Sequence, residues 1–225
     1  MVDPLITVAI WQLRFYFMEK TITGIETQKH NPNRLNVFLD NEFAFGVSRY
    51  VGAWLAIGKK LTEEDVDQLT ILDAREKAFQ KALHFINYKP RTQHEVSEKL
   101  VELGFSASII DDVISELNEK NYLNDCIYAE EWVDVRSRIK PRSQKMIAYE
   151  LRMKNINTSI ISEALKTAPP DEELAHRLGL KYLRRYKHLD DSTFEKKMRG
   201  IFARRAFSFS VIQQEIKELQ KIRNT

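Results

Sequence analysis

Apolar residues are spaced in two ways along this chain. Between Ile22 and Val47 they fall in short β-prone runs, and from about Ala74 onward they recur at helical spacing in a block that repeats every 51 residues. Leu100, Leu151 and Phe202 stand in register, as do Phe105, Ile156 and Phe207. So do Ile109, Ile160 and Val211; Ile110, Ile161 and Ile212; and Ile114, Leu165 and Ile216. The polar starter recurs as Ser106, Asn157 and Ser208. Internal repetition on this scale predicts a tandem array in which stacked units bury a continuous core.

Each unit reads as three helices. In the first, Ala78, Ala82, Leu83 and Ile86 form a stripe that ends at Tyr88-Lys89-Pro90. Thr92 with Glu95 forms a capping box, because hydroxyl and carboxylate satisfy each other's amide donors. Val96, Leu100 and Leu103 follow, Gly104 supplies a left-handed stop, and Ser106 starts a third helix through Leu117. The second unit predicts helices over about 125–139, 144–154 and onward to Lys166, with Ser143 as a cap. The third opens at Pro169-Pro170-Asp171, and Ser192 with Glu195 reads as another capping box. The stop falls on Gly104, Asn155 and Ala206 in turn. Ala pays about 1–2 kcal/mol in the left-handed region, so the third middle helix is expected to end differently.

Ahead of the repeats, Ile22–Gln28, Leu35–Asp40 and Glu42–Val47 read as strands, with turns at His30-Asn31-Pro32-Asn33 and at Asp40-Asn41. Thr62-Glu63-Glu64-Asp65 looks like a helix start. The expected fold is mainly α: three tandem three-helix repeats behind a small β-meander that covers the array's first end. The boundaries are 18–73 for the β-containing segment and lead-in helix, 74–123, 124–168 and 169–225 for the repeats. Residues 1–17 form a separate extension. Leu5 to Phe17 is apolar and aromatic but shorter than the roughly 20 residues of a membrane span, and it lacks the pattern of a secretory signal. Three readings stay open: an upstream start assignment with Met18 as the natural start, a peripheral amphipathic anchor, or a strand added to the meander.

Charge changes the picture more than composition does. With 43% hydrophobic and 30% charged residues, the chain suits a folded cytoplasmic protein. The single cysteine, Cys126, rules out an internal disulfide framework. The net charge of +3 hides a split, with 14 Lys and Arg against 21 Asp and Glu up to Trp132, and 21 against 11 from Val133 on. The cations concentrate at Arg136, Arg138, Lys140, Arg142, Lys145, Arg152 and Lys154. A second group runs from Arg177 and Lys181 through Arg184, Arg185, Lys187, Lys196, Lys197 and Arg199 to Arg204 and Arg205. One such helix would be a solvated face, but asymmetry across two whole repeats favours an oriented, negatively charged partner.

Catalytic chemistry finds little support. The five histidines have no metal-ligand spacing, the adjacent acid pairs diverge by about 100° on a helix, and no Gly-rich phosphate loop or nucleophile motif is present. No cofactor is expected. The aromatics among the basic stretches (Tyr128, Trp132, Tyr149, Tyr182, Tyr186, Phe202, Phe207 and Phe209) could be stacking platforms for single-stranded nucleic acid, but the register makes Phe202 and Phe207 core, and packing is favoured for Tyr182 and Tyr186.

The repeats resemble a known family. Leu100-Val101-Glu102-Leu103-Gly104-Phe105-Ser106 through Ile109-Ile110, then Asn121-Tyr122-Leu123-Asn124-Asp125 with Tyr128-Ala129, resembles the first module of RecX regulatory proteins. Lys140-Pro141 with Ile147, Glu150-Leu151, Lys154 and Ile156 resembles the second module, and Lys196-Lys197-Met198 with Phe202, Arg204-Arg205 and Phe207-Ser208 the third. Arg34 to Asp40 is similar to the N-terminal part of Gram-positive members. Asn155 and Ala206 depart from the family's usual Gly, and Asn124 from a common acid; residues 1–17 match nothing in it. The resemblance implies a monomeric, non-enzymatic inhibitor of the RecA recombinase that binds the RecA–single-stranded DNA filament in its groove, as a curved array with a long concave surface would. By that implication it restrains filament growth, ATP hydrolysis and strand exchange in DNA repair. The residues expected at the partner are Arg136, Arg138, Arg142, Lys145, Arg152, Lys154, Arg184, Arg185, Lys196, Lys197, Arg204 and Arg205, with weak direct DNA contact possible and no membrane contact. The competing reading is a DNA-binding protein acting through helix-turn-helix-like units without RecA.

Overall fold

The structure, a computed structural model, describes residues 19–224. The readings of the first seventeen residues therefore concern a segment outside the described residues. Among the described residues, the chain forms four strands and nine helices in two compact units. One unit takes the chain up to Asn87 together with Lys99–Glu119; the other takes Tyr88–Glu98 and everything from Lys120 on.

The first unit is built on an antiparallel sheet of β1 (Lys20–Gln28), β2 (Asn31–Leu39), β3 (Glu42–Ser48) and β4 (Lys60–Leu61), in spatial order β3-β2-β1-β4. Alternation drives one face inward: Leu35, Val37 and Leu39 of β2 and Phe45 and Val47 of β3 are buried with Ile22, Leu61 and Leu69. Leu39 pairs with Glu42 across a two-residue turn at Asp40-Asn41, whose φ values of 49° and 70° suit a type I′ hairpin. The first turn differs from expectation. It is the two-residue Lys29-His30, and Asn31, Pro32 and Asn33 already belong to β2. A proline is tolerated there because it sits near the strand's start, where its missing N–H is not required, and Arg49 Nη2 donates to its carbonyl at 3.3 Å.

Thr62 and Asp65 cap α1 (Glu63–Tyr88) reciprocally, at 2.8 and 3.1 Å. With no breaker between them, this 26-residue helix joins the lead-in segment to the first repeat without interruption. Asp73, 3% exposed, ties the helix to the sheet. It accepts both Arg34 Nη atoms at 3.1 and 3.0 Å, the Ser48 amide at 2.7 Å and Lys77 at 2.8 Å. Further along, Ala78, Phe79 and Ala82 are buried, as are Ile110, Val113 and Leu117 of α3 (Ala107–Glu119). Arg75 on α1 also reaches Glu116 at 2.7 Å.

The second unit holds the start of α2 (Gln93–Glu102), then α4 (Asp125–Arg138), α5 (Gln144–Arg152), α6 (Thr158–Leu165), α7 (Asp171–Tyr186), α8 (Asp191–Ala203) and α9 (Phe209–Asn224). Repeat two closes around Ile147, Leu151, Ile156 and Ile161, and repeat three around Leu174, Leu178, Phe194, Met198, Phe202 and Ile216. In the third repeat, Gly179 lets α7 approach α9, since a Cβ there would lie 2.7 Å from Leu219 Cδ1.

The junctions between repeats recur as well. The Thr92 hydroxyl donates to the Lys154 carbonyl, and 51 residues on the Ser143 amide donates to the Arg205 carbonyl, both at 3.2 Å. The Gln93 amide donates to Asp125 at 3.0 Å, and the Gln144 amide to Asp171 at 2.8 Å. The first helices of repeats two and three thus each begin with an acid that caps the middle helix of the repeat before.

All three middle helices end alike. Phe105, Ile156 and Phe207 donate back to Leu100, Leu151 and Phe202, and Gly104, Asn155 and Ala206 take φ of 83°, 56° and 60°. The expectation of a different third ending is corrected: burial of Phe207 outweighs the cost of a left-handed alanine. The third start is also corrected. Asp190, not Ser192, is the cap, accepting the Thr193 amide at 2.9 Å, while Glu195 pairs with Arg199. The register position of Thr92 and Ser143 is here Phe194, fully buried, so the helix begins a turn earlier.

Candidate partner-binding surface

The structure separates the basic side chains of the second unit into those that build the repeats and those that face outward. Along α4, Tyr128, Trp132 and Arg136 follow at intervals of four and stack. The two rings lie 5.8 Å apart and nearly parallel, and the Arg136 guanidinium sits 4.2 Å from the Trp132 centroid. Lys154 approaches the same rings at 5.5 and 5.2 Å. Glu150 on α5 gathers this layer. It accepts Trp132 Nε1 at 2.9 Å and Arg136 Nε at 2.6 Å, and it pairs with Arg142.

Burial, followed by the nearby Arg205 and Arg136 charges, holds the Arg142 guanidinium below its ordinary value; burial alone does so for Arg136. Lys154 pairs with Glu95 at 2.8 Å. Burial would push both groups toward neutrality, but their mutual attraction wins, raising the lysine and lowering the carboxyl. Arg136, Arg142 and Lys154 are therefore architectural.

Arg205 repeats the role of Lys154 51 residues on. It lies 5.5 Å from the Tyr182 centroid, donates to the Tyr182 hydroxyl at 3.1 Å and to the Ile201 carbonyl at 2.9 Å. Tyr182 stacks on Tyr186 at 6.2 Å, and both pack against the third core. Arg138 is exposed and pairs with Asp134 one turn away at 2.7 Å.

The outward set is different. Lys145 and Arg152 are exposed on α5 beside exposed Tyr149 and Met153, and Arg184 and Arg185 are exposed near the end of α7. Lys196 and Lys197 of α8 and Arg204 just after it line a cleft of about 490 Å³ with Tyr186, Thr193, Gly200 and Ile201. No carboxylate enters that lining. Lys197 Nζ and the Arg185 guanidinium approach the Tyr186 ring at 5.9 and 5.6 Å. Charge evolves along the register of the middle helices: His94, Glu95, Glu98 and Glu102 in the first repeat become Lys145, Met146, Tyr149 and Met153, then Lys196, Lys197, Gly200 and Arg204. The third repeat thus presents a basic, carboxylate-free cleft with one aromatic wall.

Sequence reasoning grouped the cations by proximity along the chain and missed Glu150 as the residue that engages two of them. The i, i+4 ladder Tyr128-Trp132-Arg136 was the available signal. Among the described residues, no cluster of His, Cys, Asp and Glu could hold a metal ion, and no helix is long and apolar enough to cross a membrane.

Comparison with known proteins places this architecture. The family models for the regulatory protein RecX N-terminal domain and for its first, second and third three-helix domains match residues 20–62, 78–117, 124–165 and 170–216 in order. The chain belongs to the RecX family. A regulatory protein RecX of Bacillus pumilus is 31% identical over 201 residues, covering 88% of this chain and 76% of that protein. One from Leuconostoc mesenteroides is 33% identical over 198 residues, covering 86% and 74%. A crystal structure of regulatory protein RecX superposes with a TM-score of 0.68 at 28% identity, over 87% of this chain and 98% of that one. RecX from Lactobacillus salivarius gives 0.57 at 28%, over 66% and 98%. These RecX relatives are named as regulatory proteins.

Proposed function

We propose that this protein is a cytoplasmic, non-enzymatic inhibitor of the RecA recombinase that binds the RecA–single-stranded DNA filament and limits its growth, ATP hydrolysis and strand exchange. RecX family membership over all four domains supports the regulatory part of this reading. The observation that carries the choice of partner is the concentration of outward cations on the middle helices of repeats two and three and at the end of α7, together with a cleft without carboxylates. A filament of protein on polyphosphate presents matching negative charge, and clustered cations both speed its encounter and release its counterions. Lys145, Arg152, Arg184, Arg185, Lys196, Lys197 and Arg204 are the proposed contacts. Arg136, Arg142, Lys154 and Arg205 hold the repeats that present them, and Arg138 pairs with Asp134 on its own helix.

The test is inhibition of RecA-dependent strand exchange across a salt series. Lys196→Glu with Lys197→Glu is expected to weaken inhibition about ten-fold at low salt and to flatten its salt dependence, with the melting temperature unchanged. Unchanged inhibition and salt slope would remove the third repeat from the interface. Tight binding to naked DNA with no effect on RecA would replace the reading with direct DNA binding.

A further inference from the structure

The first repeat departs from its two copies at one edge. Ile156 and Phe207, just after the left-handed stops, are 4% and 5% exposed, whereas their counterpart Phe105 is only partly buried. Val101 and Leu103, on the same helix end, are 63% and 45% exposed. In the later repeats, the position of Leu103 holds Lys154 and Arg205, whose carbonyls receive the preceding repeat through Thr92 and Ser143. The first repeat has no predecessor, and its corresponding edge is apolar.

Phe105 instead lines a cleft of about 810 Å³ whose walls include Asn33 of β2, Arg49 and Tyr50 after β3, and Lys77 and Lys81 of α1. Tyr50 is 80% exposed. Asp73 is already engaged by Arg34, Lys77 and the Ser48 amide, and Glu76, the carboxylate in the lining, accepts from Gln80 at 2.9 Å. Arg49, held against the Pro32 carbonyl and the Thr27 hydroxyl, and exposed Lys81 both line the cleft.

We infer that this cleft docks a short acidic segment of a partner protein, with one apolar side chain seated over Phe105 and Tyr50 and carboxylates at Arg49 and Lys81. Charge complementarity chooses the occupant. The lining sets Arg34, Arg49, Lys77 and Lys81 against the carboxylate of Glu76, and this local excess of cations beside Phe105 and Tyr50 suits a few carboxylates around an apolar anchor. A pocketed aromatic ring ringed by polar groups is the usual form of such an anchor site. The cleft's residues belong to the first unit and the cationic helices of the third repeat to the second, and the inference does not depend on the proposed action on RecA.

The experiment uses the full chain and a fluorescein-labelled ten-residue peptide of Asp and Glu with a central Phe, read by fluorescence anisotropy without RecA. Saturable binding is expected, weakened about five-fold by Lys81→Glu and to a similar degree by replacing the peptide's Phe with Ser. It should be unaffected by Lys196→Glu with Lys197→Glu. Lys81 is exposed, so its substitution leaves the fold intact, and an unchanged melting temperature verifies this. Absence of saturable binding, insensitivity to Lys81→Glu, or loss on the third-repeat substitutions would overturn the assignment. Displacement of the peptide by a ten-nucleotide oligothymidylate from the wild type but not from the Lys81→Glu protein would also overturn it, in favour of a nucleic-acid site.

Discussion

At the level of single residues, Ala206 is the most instructive. It adopts φ of 60°, a conformation that costs an L-residue about 1–2 kcal/mol, because the turn must deliver Phe207 into the third core. Ala206→Gly relieves that strain but frees the unfolded chain, so a net gain of about 0.5–1 kcal/mol is expected in denaturant unfolding. Asp73 offers a second test. Burial pushes its carboxyl up, yet hydrogen bonds from Arg34, Lys77 and the Ser48 amide outweigh burial and hold it below the usual range. Its stabilising contribution is therefore present above the unfolded carboxylate value, about 3.9, and is lost as pH falls through the lower folded value. Asp73→Asn, which leaves Arg34 without its charge partner, is expected to cost about 3 kcal/mol at neutral pH, with the deficit narrowing in unfolding measured below about pH 4. Gly104 and Asn155 were legible as stops because both residues accept positive φ. The Asp190 cap was not, because Asp190, Asp191 and Ser192 are all competent caps and only the burial of Phe194 selects among them.

At the level of elements, the 51-residue register was readable because each repeat solves the same packing problem with the same inward positions. The junctions were less so, since they join residues distant in sequence: Gln93 to Asp125 and Gln144 to Asp171. Each acid satisfies an amide that the middle helix leaves unpaired, so Asp125→Ala and Asp171→Ala are each expected to cost about 1 kcal/mol, and the Asn variants less, in denaturant unfolding. Burial is the main reason both carboxyls stand above their ordinary values. Relative to the unfolded chain, their contribution is greatest below the usual carboxylate range and declines as pH rises through the folded values. The two-residue strand β4 had no signal of its own, and the turn at Lys29-His30 was hidden by the Asn-Pro-Asn that follows it.

At the level of the whole molecule, the charge split was plain in composition, but its division of labour was not. Arg136, Arg142 and Lys154 looked equivalent to Lys145 and Lys196 along the chain. They differ because Glu150 and Glu95 engage the first set, while the outward faces of α5 and α8 leave the second exposed. Removing a buried partner should harm the fold rather than recognition. Glu150→Ala is expected to lower the melting temperature by several degrees, through uncompensated Arg136 and Arg142, without changing the salt slope of partner binding.

The proposed control of RecA through its filament is decided by single-stranded-DNA-dependent ATP hydrolysis of RecA as this protein is titrated from far below to equal stoichiometry. The expected result is inhibition at a small fraction of the RecA concentration, because a few bound molecules that block filament growth control many protomers. Hydrolysis unchanged at every ratio would rule out such control.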